Sequence, residues 1–257
     1  MKNIPIYKAE ADIKGLADKV LASNQSNAYY SALEEWKPSD TSLAIASEII
    51  SNQGAKAAKT DHDLFYLKSI LVTTNWNLND DVFDAGETWA ARHSATHKPT
   101  NIEHDEKRVV GHITETWAID RDGKIIPEDT SIDDLPNPFH IANGAVIYQN
   151  YADEGLIAQA QKLISEIKAG TKYVSMEALF SDFWYSVAGP NNEYHVVARN
   201  QETAFLTKHL RIFGGLGTYD GYKIGRVLKN ITFSGKGYVD RPGNPESVIL
   251  SNDSGFD

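Results

Sequence analysis

The sequence has no cysteine, two methionines, and fewer basic than acidic residues: 25 Lys and Arg against 35 Asp and Glu in 257 residues, a formal charge of -10. Without a thiol there can be no disulfide staple, thiolate nucleophile, Cys-ligated zinc or iron–sulfur cluster. A hydrolase built from this chain would draw a side-chain nucleophile from Ser or Thr. The acidic balance argues against nucleic acid as a partner, because broad phosphate contacts need a cationic excess. No stretch reaches the roughly 18 apolar residues of a membrane helix. The opening segment, Met1 to Gly15, carries charges where a signal peptide would be apolar. The chain therefore reads as soluble and unexported, with no membrane partner. Its 41% hydrophobic and 23% charged content suits a globular core.

What is present changes character along the chain. Residues 5 to about 60 read as helical, with Ile13, Leu16 and Val20, then Leu43, Ile45 and Ile49, at helical spacing. Pro38, Ser39 and Asp40 mark a break and a new N-cap. From Leu64 to Thr74 the chain is apolar and β-branched and reads as a buried strand. A polar loop over 75–84 follows. Val109 to Asp120 alternates as a strand and closes on the Asp122-Gly123 turn. The acidic, proline-containing stretch 126–138 is a loop, and Asn143 to Tyr151 a short strand. Asp153 caps a helix running to Lys168, with Leu156, Ala160, Leu163, Ile164 and Ile167 on one face and Gly170 as its stop. Tyr173 to Val187, Val196 to Arg199, Ala204 to Ile212 and Val227 to Val239 read as further β segments. The order does not alternate strand and helix, so a doubly wound parallel sheet is disfavoured and a helix-decorated barrel or sandwich fits better.

Four histidines, His93, His97, His104 and His112, fall close together in the sequence. The first two are spaced i, i+4, as in metal pairs, but the HExxH glutamate is missing and Pro99 ends any helix nearby. Exposed or hydrogen-bonded histidines are the plainer reading, and no metal is assigned. His104 precedes the Val109 strand and is flanked by Glu103 and Asp105, which suits a general base. Ser175 interrupts an apolar, strand-like run, either as a backbone-bonded serine or as a nucleophile on a rigid strand. The run is not the GxSxG elbow. Gly214-Gly-Leu-Gly217 lacks the GxxxxGK[ST] context and reads as a β turn, whereas Gly235 and Gly237 inside a strand signal a bulge or a close backbone approach.

Three stretches together resemble the capsid-maturation (prohead) serine proteases of tailed bacteriophages, a family related in fold to the herpesvirus assembly proteases. They are Asn77 to Asp84 leading through Lys98-Pro-Thr-Asn-Ile-Glu-His-Asp105 to Val110-Gly-His-Ile113; Tyr173-Val-Ser-Met-Glu-Ala178; and Gly237-Tyr-Val-Asp-Arg-Pro-Gly-Asn-Pro245. The resemblance implies an α+β fold, a mainly antiparallel β-barrel surrounded by helices. It implies a protease domain over 63–250, an N-terminal helical segment over 1–62 and a flexible tail over 251–257. His104 maps onto the catalytic base and Ser175 onto the nucleophile. Where some relatives carry a glutamate on the late strand, this chain reads Gly235-Lys-Gly-Tyr-Val. Asp81 is the choice for third member, with Asp105, Glu177 and Asp240 as rivals. Backbone N–H groups near Gly214 to Gly217 would hold the oxyanion, with Arg211 or Arg226 assisting through a water. No cofactor is implied. The substrates would be scaffold and capsid proteins, and the protease itself, within the assembling prohead in the host cytoplasm. A homodimer or homo-oligomer is expected. A catalytically silent capsid core protein of the same fold and a metal-dependent hydrolase are the competing readings.

Overall fold

A computed structural model of the chain describes residues 4–23, 63–189, 194–242 and 249–251. The fold is α+β: two curled sheets, each a half-barrel, with few helices. The first elements are two short helices, α1 (Lys8–Ala11) and α2 (Leu16–Ala22), separated at Gly15, which takes a positive φ of 76°. Strands β1 (Leu64–Thr73), β2 (Asn75–Trp76) and β3 (Asp81–Phe83) lead to helix α3 (Ala85–Ala91). Next come β4 (Pro99–Ile102), β5 (Asp105–Ile119), β6 (His140–Tyr148) and helix α4 (Glu154–Lys168). Strands β7 (Tyr173–Leu179), β8 (Asp182–Ala188), β9 (Tyr194–Val197), β10 (Thr218–Tyr219), β11 (Tyr222–Lys229), β12 (Thr232–Val239) and β13 (Ile249–Ser251) complete the order. No described helix is long and apolar enough to cross a membrane.

The larger sheet runs β13-β1-β6-β5-β4-β12-β7, and the smaller β2-β3-β11-β8-β9 with β10 beside β11. Pairing is antiparallel except for β4 with β12 and β3 with β11. The larger sheet curls until β12 faces strands that are not its sheet neighbours. Lys236 of β12 reaches Ser69 of β1 at 3.0 Å and Asn143 of β6 at 2.7 Å across the interior. Helix α4 covers part of this curl. Asp153 caps it by accepting from Leu156 N at 3.0 Å. Its buried Ala160, Leu163, Ile164 and Ile167 join Phe65, Val110, Ile147 and Tyr238 in one cluster. Each fully buried Leu or Ile contributes about 1.5–3 kcal/mol.

The structure departs from the sequence reading in several places. Ala204 to Ile212 is not a strand but two 3₁₀ turns, Ala204–His209 and Arg211–Phe213. Its buried apolar residues Leu206, Leu210 and Phe213 recur every three or four positions, a helical rather than a period-2 spacing. The expected loop over 75–84 contains β2 and β3, because buried Val82 finds a parallel partner in Val227, far along the chain. Helix α3 was not anticipated. Asp84 caps it by accepting from Gly86 N and Glu87 N.

The segment 4–23 packs into the core of the strands. Ile4, Leu16 and Val20 sit in the same core cluster as Leu71, Phe183 and Phe213. Glu10 and Arg199 form a fully buried ion pair at 2.7 Å. The expected helical residues 24–62, with Pro38, Leu43, Ile45 and Ile49, lie outside the described residues, as do Gly243 to Pro245 and the tail from 252.

Candidate active site

Strand β7 alternates. Val174, Met176 and Ala178 are buried among the apolar clusters, so Ser175 and Glu177 share the opposite face two residues apart. The partner strand β12 sets glycines opposite both: Gly237 pairs with Ser175 and Gly235 with Glu177. The missing side chains leave room that other groups fill. A Cβ on Gly237 would lie 2.9 Å from His104 Nδ1 and 3.0 Å from its Cε1. A Cβ on Gly235 would lie 2.7 Å from Glu177 Oε2. The close backbone approach expected at these two glycines is therefore the seat of His104 and Glu177. A register shift between Phe233 and Gly235 sets this alignment.

His104 is carried by the hairpin between β4 and β5. Ile102 pairs with Asp105, so the loop is the two residues Glu103 and His104. Both take left-handed backbone, with φ of 54° and 57°. That is the requirement of a type I′ turn, normally met by Asn-Gly or Asp-Gly. Here it is met by two residues with side chains, at a cost on the order of 1–2 kcal/mol each. The strained turn swings the imidazole over Gly237.

The ring is oriented from below. His104 Nδ1 lies 3.0 Å from Glu177 Oε1, and Asn101 Nδ2 donates to the same oxygen at 2.6 Å. With a carboxylate as acceptor, Nδ1 carries the proton and Nε2 is the basic nitrogen. The constellation is largely dry: the His104 side chain is 2% exposed, Ser175 4% and Glu177 6%. Opposed residues of an antiparallel pair have Cβ atoms about 4.5–5.5 Å apart. The ring, 2.9 Å from where a Gly237 Cβ would lie, thus sits beside the position directly across from Ser175.

The structure brings His104 and Ser175 to one patch of the larger sheet and leaves Asp81 elsewhere. Asp81 lies on β3 of the smaller sheet, where both its oxygens are taken by Arg226, from Nε at 2.6 Å and Nη2 at 2.9 Å. The expectation that Asp81 orients the histidine is corrected on this ground: its carboxylate neutralises a buried guanidinium. Of the rivals, Asp240 pairs with Lys172 at 2.6 Å, and Asp105 accepts from Lys107 N at 2.9 Å. Glu177 is the one bonded to His104. Its signal was present in the sequence, since it stands two residues after Ser175 in an alternating strand.

The oxyanion expectation is corrected as well. The Gly214, Gly215 and Gly217 N–H groups are spent on Arg211 O, Leu210 O and His209 O at 2.9, 2.9 and 2.8 Å. Arg211 is paired with Asp80 and Arg226 with Asp81. Of the remaining histidines, His93 is 2.9 Å from Glu128 and His112 is 2.9 Å from the Tyr148 hydroxyl. His97 lies beyond the end of α3, so the i, i+4 pair does not share a helix face. Among the described residues no three His, Asp or Glu side chains are grouped to hold a metal ion.

No protein-family model matches the sequence, and no match is found among the curated proteins or the solved structures compared with it.

Proposed function

We propose that the chain is a serine endopeptidase of the prohead-maturation kind, with Ser175 as nucleophile, His104 as general base and Glu177 as the carboxylate that orients it. The observation that carries this reading is the His104–Glu177 bond at 3.0 Å on the face that also presents Ser175, two residues before Glu177 on one strand. A nucleophile needs a base, and the base needs an orienting partner. In the reaction Ser175 Oγ attacks the scissile carbonyl and passes its proton to His104 Nε2. Glu177 holds the Nδ1–H and stabilises the imidazolium. The ring then gives the proton to the leaving amine, and water cleaves the acyl-enzyme by the same route in reverse. Burial strengthens these steps, because charge interactions grow in a low-dielectric site.

The substrate class rests on the three sequence stretches that resemble the prohead proteases. It comprises the scaffold and capsid proteins of an assembling tailed-phage shell, and the protease itself. The same resemblance supports a herpesvirus protease-like barrel, a homodimer or homo-oligomer, and a place inside the prohead in the host cytoplasm.

The test is co-expression of the wild-type chain or Ser175→Ala with a candidate capsid precursor. Alongside it, the purified proteins are labelled with a fluorophosphonate. The expected result is precursor cleavage and labelling by wild type, and neither by Ser175→Ala at unchanged melting temperature. Equal cleavage by both proteins would overturn the serine mechanism. A folded wild type that neither cleaves nor labels would leave a silent capsid core component of the same fold.

A further inference from the structure

The turn that presents His104 is not self-enforcing. Glu103 is not a residue that favours left-handed backbone, so its conformation has to be held from outside. Glu103 is held through both its backbone and its side chain. Its N–H donates to Tyr238 O of β12 at 3.1 Å. Its carboxylate accepts from Lys172 Nζ at 3.1 Å. Lys172 is itself anchored, with Asp240 Oδ1 at 2.6 Å and Glu166 Oε2 at 3.9 Å, and its side chain is only 9% exposed. The ammonium thus ties together the hairpin tip, the end of β12 and the last turn of α4. Burial lowers its proton affinity, but the bonds to Asp240 and Glu103 more than offset that, and the net shift is upward. It stays a cation.

Lys172 immediately precedes β7, the strand of Ser175 and Glu177. One short stretch therefore grips two consecutive turn residues from either side of the serine: Lys172 holds Glu103, and Glu177 holds His104. We infer that Lys172 is a positioning residue of the site, acting through Glu103 to set the imidazole of His104 against Ser175. This deepens the proposed function and rests on it for the consequence to catalysis. The effect on His104 itself stands independently.

The experiment compares wild type, Lys172→Met, Glu103→Gln, the double variant and Lys172→Arg. The first readout is the His104 Nδ1–H resonance by NMR, which reports the bond to Glu177 whether or not the protein turns over substrate. The second is the rate of fluorophosphonate labelling. In wild type the Nδ1–H signal is expected downfield and slow to exchange. In Lys172→Met and in Glu103→Gln it is expected to shift and exchange faster, and labelling is expected to fall at least tenfold. The double variant should fall no further than either single one, because both remove the same ion pair. Lys172→Arg should recover most of the rate.

An unchanged His104 resonance in both single variants overturns the inference. So does a loss confined to Lys172→Met, since that would trace to Asp240 and Glu166 rather than to the turn. If Lys172→Met fails to fold, Glu103→Gln decides alone. If wild type does not label but the resonance moves as expected, the positioning role stands and the peptidase reading falls.

Discussion

Gly237 and Ser175 face each other across the β7–β12 pair, and the His104 ring occupies the space that a side chain at 237 would take. The glycine is thus part of the site by what it lacks. Gly237→Ala would put a methyl 2.9–3.0 Å from the imidazole and 3.1 Å from Asn101 Oδ1, closer than packed atoms sit. The ring is the softer neighbour and gives way. The expected outcome is a loss of fluorophosphonate labelling of tenfold or more with a stability cost of about 1–3 kcal/mol. Gly235→Ala meets Pro99 O, a backbone atom, at 2.8 Å as well as Glu177, so it should cost more stability. Thermal melts and labelling rates on both variants check the order. Wild-type labelling by Gly237→Ala would mean the ring is not seated as described.

Two buried carboxylates, Glu177 within the proposed machinery and Asp81 outside it, should behave oppositely. Glu177→Gln keeps the shape but removes the charge that stabilises an imidazolium. Loss of the orienting carboxylate in a comparable triad lowers turnover by about 10⁴, and a drop of roughly 10²- to 10⁴-fold is expected here. Asp81→Asn leaves the buried Arg226 guanidinium without its bidentate partner, a change that typically costs about 3–5 kcal/mol. Activity per folded molecule should survive in Asp81→Asn, and stability should fall. Rate and denaturation midpoint, measured on both, separate the roles. The reverse pattern would return Asp81 to the site.

These contrasts show where the sequence is readable. Local patterns carried β1, α4 with its Asp153 cap, and β7, because apolar periodicity and capping chemistry act over a few residues. The glycine pair in β12 announced a close approach, but not what approaches. That depends on the β7–β12 register and on the irregularity between Phe233 and Gly235. The His104 turn carries no Asn-Gly signature, since tertiary contacts at Glu103 do the work of the missing glycine. Asp81 looked eligible because it precedes the histidine in a matching stretch, yet β3 joins the other sheet through a parallel partner 145 residues away. The late strand offers no carboxylate to His104; the one bonded to the ring, Glu177, stands directly across from Gly235.

The N-terminal segment is expected to be a structural part of the domain. Glu10 accepts from Arg199 Nε at 2.9 Å, Arg199 Nη2 at 2.7 Å, Thr207 Oγ1 at 2.6 Å and Tyr7 N at 2.9 Å. Arg199 also donates to Pro5 O at 2.7 Å and Asp182 at 3.0 Å. Glu10→Gln uncouples a fully buried pair and should cost about 3–5 kcal/mol. Hydrogen exchange over residues 4–23 should rise more than exchange over β5 and β6. Protection equal to wild type in that segment would mean the pair is dispensable.

Lys236 gives a pH dependence with a defined sign. Its ammonium lies fully inside the larger sheet, against Ser69 and Asn143, and burial pushes its pKa from 10.5 down to about 7. The unfolded chain therefore binds more protons than the folded one between about pH 7 and 10.5, so this residue makes stability rise with pH across that window. Below pH 7 the folded protein carries the full cost of a buried charge, up to about 5 kcal/mol by the size of the shift. Lys236→Met removes the titration but leaves Ser69 and Asn143 short of a donor, at about 1–3 kcal/mol. Relative to wild type the variant should fare best at pH 6 and worst at pH 9–10. Urea midpoints across that range read this directly. A wild-type slope unchanged in Lys236→Met would show that another group sets it.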